Sequence, residues 1–166
     1  MANSPLITWT EEYAIGHKSL DEEHRRLVNA INRLHAAEEA GRTKQELKSL
    51  LKTIELATLE HFRHENAVLT LELSGKLDNE TCNEHLAEHA RALAELESII
   101  HRLGSGTTFD GSELSYTLKH WFVAHVTEHD VHLKREFQAK AANRANAGSQ
   151  IVDPPGCALP GKAING

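Results

Sequence analysis

Apolar residues fall at helical spacing in four stretches of the chain, and no stretch alternates with the period of two that a strand needs. Each stretch has its own start and stop signals. The first opens at Ser19, three residues before Glu22 in the spacing of a capping box, and carries Leu20, Leu27, Val28, Ile31 and Leu34 toward Gly41. The second opens at Thr43 with Glu46 in the same relation, carries Leu47, Leu50, Leu51, Ile54, Val68 and Leu69, and stops before Gly75. The third starts near Asp78 or Asn79 and carries Leu86, Leu93, Leu96, Ile99, Ile100 and Leu103 before Gly104. The fourth starts near Ser112 and carries Leu114, Leu118, Trp121, Phe122, Leu133 and Phe137. Short connections favour antiparallel neighbours, so the pattern predicts an all-α fold, an up-down-up-down four-helix bundle. Ahead of it, Trp9, Tyr13 and Ile15 form a short apolar arm that turns into the first helix at Gly16. The bundle is expected over residues 1–138. From Ala139 onward Gly, Pro, Ala and Asn dominate, and a disordered tail is expected over 139–166.

Composition narrows the setting. The 166 residues suit one domain, and a net charge of -6 with pI near 6.0 offers no basic field for nucleic acid. No basic leader opens the chain and no apolar run approaches the roughly 20 residues that span a bilayer, so the expectation is a soluble, cytoplasmic monomer with no membrane partner. Cys82 and Cys157 form neither a disulfide framework nor a CxxC pair. The outlying number is 12 histidines against 5% aromatic residues.

Placed on the apolar stripes, several of those histidines face inward. His24 lies one turn after Leu20 and one turn before Val28; His61 and Glu65 follow Ile54 by seven and eleven; His85 and His89 lead into Leu93, Leu96 and Ile100; His125 follows Trp121 by four. A single inward histidine is more often a satisfied core residue than a ligand. Five neutral imidazoles in one core, with Glu65 and one aspartate near His125 as the only interior carboxylates, could not all find protein partners. A metal ion removes the difficulty, because each lone pair becomes a bond and the other ring N–H goes to an outer acceptor. On an ideal helix His129 would share a face with His125, whereas Asp130 lies about 140° around the axis. Asp130 could still serve if the metal lies between helices, or if a wider local turn swings it inward. His17, His64, His101 and His120 read as solvated or capping residues, and His35 as a histidine remote from the metals.

These residues resemble a known family, the bacterial hemerythrins. Trp9, Tyr13, Ile15, Gly16, Leu20, Asp21, Glu23 and His24 are similar to its opening W-x3-[FY]-x-[IV]-G-x3-[IL]-D-x-[QE]-H, and HFRHE from His61, HLAEH from His85 and HVTEHD from His125 to its H-x3-E, H-x3-H and H-x4-D. The resemblance covers about residues 9 to 137 and leaves the tail without a counterpart. It implies two iron ions, one held by His85, His89 and His125, the other by His24 and His61, with Glu65, Asp130 and an oxo or hydroxo group bridging them. It also implies that dioxygen binds at the open position of the second iron. Two departures stand out: Phe122, close to the oxygen pocket in the family, where leucine is common, and Glu23, before the first histidine, where glutamine is usual.

Bundle oxygenases and ferroxidases use about four carboxylates and paired Glu-x-x-His motifs. This chain has no Glu-x-x-His, and apolar walls including Leu27, Ile31, Leu93 and Trp121 suggest no proton relay. The expectation is reversible dioxygen binding by a carrier or store rather than an enzyme. A peroxide- or nitric oxide-consuming enzyme and a redox sensor with the tail as output remain alternatives. Iron suits imidazoles with bridging carboxylates, while zinc and manganese stay open.

Overall fold

A computed structural model describes residues 4–104 and 114–148 of the chain. Four long helical stretches pack as a bundle: α1 (Lys18–Glu39), α2 (Lys44–Leu71), α3 (Asn79–Gly104), and a last stretch made of α4 (Leu114–Ala124), a π turn (His125–His129) and α5 (Val131–Gly148). α1 packs on α2 and α4, and α2 packs on α3. No strand occurs among the described residues, and none of their helices is long and apolar enough to cross a membrane.

The ends of the helices follow local chemistry, with one exception. Thr43 and Glu46 form the capping box in both directions, the Thr43 hydroxyl accepting from the Glu46 N–H at 3.3 Å and Glu46 accepting from the Thr43 N–H at 2.9 Å. Asp78, rather than Asn79, caps α3 by accepting from the Thr81 N–H at 2.7 Å. The box at Ser19 does not form: α1 starts at Lys18, after an extended His17 that makes no side-chain cap bond. Asp21 in the first turn instead holds the arm to the start of the helix, its carboxylate accepting the Ile15 N–H at 2.7 Å and the Gly16 N–H at 3.2 Å. Gly16, at φ 86°, makes that reversal without a Cβ to strain.

The arm lies across the bundle as expected. Trp9, Tyr13 and Phe122 meet edge to face at 5.9 and 5.6 Å, the Arg25 guanidinium sits 4.0 Å over the Trp9 ring, and Lys134 donates to the Glu12 carbonyl. Its start adds a residue that periodicity missed: Ile7 is buried, and its backbone is held at both ends by Asn32.

Three expectations need correction. Leu86 is 39% exposed, because its face of α3 turns outward. Leu93 is half-buried and lines an outward groove with Leu56 and Leu59 instead of walling the interior. Helix α5 continues to Gly148, taking in the first ten residues of the expected tail, because alanine-rich AANRANA has high helix propensity even though Ala141 to Asn146 are exposed and anchor nothing. The expected start of the fourth helix at Ser112 and the tail over 149–166 lie outside the described residues.

Burial divides the interior into layers. A large apolar cluster takes Leu27, Val28, Ile31 and Leu34 from α1, Leu47, Leu51 and Ile54 from α2, Leu96 to Leu103 from α3 and Leu114, Leu118 and Phe122 from α4. A smaller one joins Ile15, Leu20, Val68, Leu69, Leu73, Leu133 and Phe137. Between them lies a layer that is almost wholly polar.

Candidate metal centre

Each helical stretch crosses that middle layer once, and each places polar side chains in it: His24 from α1, His61 and Glu65 from α2, His85 and His89 from α3, His125 and Asp130 from the last stretch. All seven are at most 4% exposed. Two overlapping groups have their donor atoms within 4.8 Å of one another, Glu65 with His85, His89 and His125, and Glu65 with His24, His61 and Asp130. Glu65 Oε2 lies 3.1 Å from His89 Nε2, 3.4 Å from His85 Nε2 and 3.6 Å from His61 Nε2. Asp130 also reaches both sides, 3.2 Å from His125 Nε2 and 3.3 Å from His24 Nε2.

The π turn is what brings Asp130 inward. The Asp130 N–H donates to the His125 carbonyl five residues back, at 3.1 Å, so the backbone makes one wide turn between them. The 140° offset of an ideal helix is thereby absorbed. His129 is left half-buried beside the cluster, its ring 6.0 Å from that of His125, and belongs to neither group.

The donor set fits a cation. Both oxygens of Glu65, both of Asp130, and Nε2 of His85, His89 and His125 are buried without a hydrogen-bond partner. His24 Nε2 and His61 Nε2 face each other at 3.1 Å. Orphaned acceptors that converge on one another are costly, and positive charge among them resolves the cost. With no cation, protons would have to substitute. Burial works against the charge on Glu65, yet the His61 imidazole and then those of His125, His85 and His89 hold its carboxyl well below the ordinary range. Burial likewise disfavours charged His125, but Asp130, Glu65 and Glu88 push it well above its ordinary value.

An outer ring of acceptors turns the imidazoles. His24 Nδ1–H donates to the Tyr13 carbonyl at 3.1 Å, His61 to Glu23 at 3.0 Å, His89 to Asn66 at 3.0 Å and His125 to Glu88 at 2.7 Å. With Nδ1 so engaged, Nε2 presents its lone pair to the centre. Glu88 also accepts from the Trp121 indole at 3.2 Å, and Trp121 stacks on His125 while Phe62 stacks on His89 at 3.7 Å. Sequence reasoning missed Glu88 and Asn66. Glu88 had a signal, since it stands one and two turns before Ala92 and Leu96 on the buried stripe; Asn66 had none.

Two of the histidines read as solvated also have partners. His64 donates to Glu23 at 2.8 Å, and His17 pairs with Glu72 at 3.3 Å while packing on Phe137. Glu23 thus joins buried His61 to half-buried His64, a polar path where apolar walls alone were expected. His101 and His120 are exposed, and His35 bonds Ser115 in the large apolar end, remote from the centre.

Known proteins share this fold. A "Hemerythrin-like protein" of Nematostella vectensis is 27% identical over 130 residues, 78% of this chain and 74% of its own length. Wild-type hemerythrin matches with a TM-score of 0.67 at 20% identity, covering 75% of this chain and 92% of its own. A mutant of hemerythrin with tyrosine for one leucine matches with a TM-score of 0.68, also at 20% identity, over 76% of this chain and 93% of its own. Those structures establish the helical bundle. The hemerythrin HHE cation binding domain family matches residues 16–137, a span that holds all seven converging side chains, and to that family this chain belongs.

Proposed function

We propose that this protein binds dioxygen reversibly at a non-haem di-iron centre, as a carrier or store. The observation that carries the reading is the pair of overlapping donor groups sharing Glu65, five imidazoles to two carboxylates, all buried. His85, His89 and His125 would hold one iron, His24 and His61 the other, with Glu65 and Asp130 between them. A ferrous pair would supply two electrons that dioxygen takes up on binding and returns on leaving. The protein's own part is to keep that exchange reversible. Phe122, at 1% exposure, packs its ring 5.9 Å from that of His24, and Tyr13 covers Phe122 in turn, so water is excluded on that side. Two carboxylates among five neutral donors give little charge to support iron beyond the ferric state.

Iron analysis combined with an anaerobic-to-aerobic absorption cycle tests this. Two irons per chain and a visible band that appears with oxygen and disappears under vacuum over repeated cycles are expected. Trace metal only, or a single irreversible oxidation, would overturn the reading.

A second reading, consumption of peroxide or nitric oxide, is favoured by the Glu23 path, which links the edge of His61 to half-buried His64. Under it, Glu23→Leu would slow peroxide turnover while leaving oxygen affinity in place; equal turnover in the two proteins would argue for the carrier.

A further inference from the structure

Side chains at most 4% exposed leave no open path to the centre, so any small ligand must cross the bundle wall. On the α1 side that wall is thick: Trp9, Tyr13 and Phe122 are layered over His24, and Lys134 on α5 ties the arm down. Between α2, α3 and α4 it is thin. A cavity of about 10 Å³ lies there among Thr58, Ala92, Leu96, Leu118 and Trp121, with exposed Glu95 at its outer rim. Thr58 stands one turn before His61, and Ala92 one turn after His89. The inner wall is the Trp121 indole, stacked on His125 at 5.7 Å and edge-on to Phe62 at 6.0 Å.

The gap exists because two small residues occupy core positions. Thr58 is 1% exposed and Ala92 8%, on stripes that elsewhere carry Ile54 and Leu96. A bundle selected for packing alone would fill such a space, since voids forfeit dispersion contacts. Its volume is at the lower limit for holding one water-sized molecule, so it is a passage and not a storage site. Ala92, Leu96, Ile99, Leu118 and Trp121 make most of the lining apolar; Glu95 and Thr117 stand at its exposed rim, and the Thr58 hydroxyl is buried with no partner. Neutral diatomic molecules can enter such a space; an anion would lose its hydration with nothing to replace it.

We propose that this cavity is the vestibule through which dioxygen enters, with Trp121 as its inner door; the identity of the traveller rests on the oxygen-binding reading above. An entry route governs rates in both directions and leaves the equilibrium alone. In the iron-loaded full-length protein, Ala92→Val and Ala92→Leu should therefore slow oxygen association and dissociation together, in graded fashion and by roughly tenfold for leucine, with affinity nearly unchanged. Unchanged rates, or a change in affinity without a change in association, would overturn the proposal.

A second readout does not depend on iron. Trp9 and Trp121 are the two tryptophans of the chain, so Trp9→Phe leaves Trp121 as the sole indole emitter. In the zinc-filled full-length Trp9→Phe protein, adding Ala92→Leu should weaken fluorescence quenching by dissolved dioxygen and leave quenching by bulkier acrylamide unaltered. If dioxygen quenches both proteins equally the vestibule is wrong, even should the iron protein bind oxygen. If quenching falls as expected while the iron protein never releases oxygen, the vestibule stands and the carrier reading fails.

Discussion

The two apolar ends of the bundle are built differently. The larger cluster draws on α1, α2, α3 and α4, and its side chains meet directly. The smaller draws on the arm, α1, α2 and α5, with no residue of α3 within it. The first turns of α3, NETCNE, carry no large apolar residue, and Leu86 just beyond them is exposed. What holds that half of α3 to the bundle is His85, Glu88 and His89, all in the polar layer. The larger end is therefore stabilised chiefly by apolar burial, at about 1.5–3 kcal/mol for each large side chain removed from water. The smaller end adjoins a layer whose orphaned buried atoms a cation would satisfy. Site and fold are coupled at one end of the molecule and independent at the other.

Emptying or breaking the centre should have the largest effect. Glu65→Gln, which removes the carboxylate charge shared by both donor groups, should lower metal affinity by at least about 100-fold, more than is usual for an outer-ring residue. Amide exchange after chelation should rise first in residues 79–91 and at the C-terminal end of α2, while Ile31, Leu51 and Ile99 stay protected. Uniform loss of protection would show that the two ends are not separable.

Next in size is Leu51→Ala. At 0% exposure in the larger cluster it should cost about 2–5 kcal/mol by denaturant unfolding, with metal or without. Leu133→Ala in the smaller cluster, also at 0% exposure, should be destabilising in the metal-loaded protein and nearly silent in local exchange once the metal is removed. Thr43→Ala should come third, since losing the capping box at the start of α2 costs about 1 kcal/mol and should lower the melting temperature equally in both metal states.

The smallest effect separates the ends by pH. At the larger end, burial raises Glu38 above its ordinary 4.5 although it accepts from Ser115. Its folded value exceeds its unfolded one, so the stability tied to its proton is complete below pH 4.5 and is lost as pH rises through the folded value. At the smaller end burial would raise Glu72, but His17 and Lys140 lower it below 4.5. Its contribution is present above pH 4.5 and is lost as pH falls through the folded value. Acidification across pH 4.5 should thus relieve the burial penalty on the Glu38 carboxylate at the larger end and loosen the Glu72 contact at the smaller. Exchange rates at Ser115 and at Leu73 that moved in the same direction would contradict this.

Much of this arrangement was legible along the chain because it is local. Periodicity placed four helices, Thr43 and Glu46 marked a true start, and His24, His61, Glu65, His85, His89 and His125 stood on apolar stripes where the structure finds them buried. Each of those readings needs only residues three or four apart on one helix, and that geometry is fixed by the backbone. Other features depended on contacts between elements. Ser19 is not the helix start, since α1 begins at Lys18 where Asp21 holds the N–H groups of the arm across the first turn. Glu88 and Asn66 mattered because α3 brought His89 to α2 and His125 to α3. Asp130 rather than His129 entered the centre because the backbone widened by one residue, a distortion that is rare in helices and frequent at functional sites. The sequence by itself determined where the helices run and most of the side chains that they turn inward; the tertiary structure decided which of them share a centre, because the distance between two helices is set by packing and not by either helix alone.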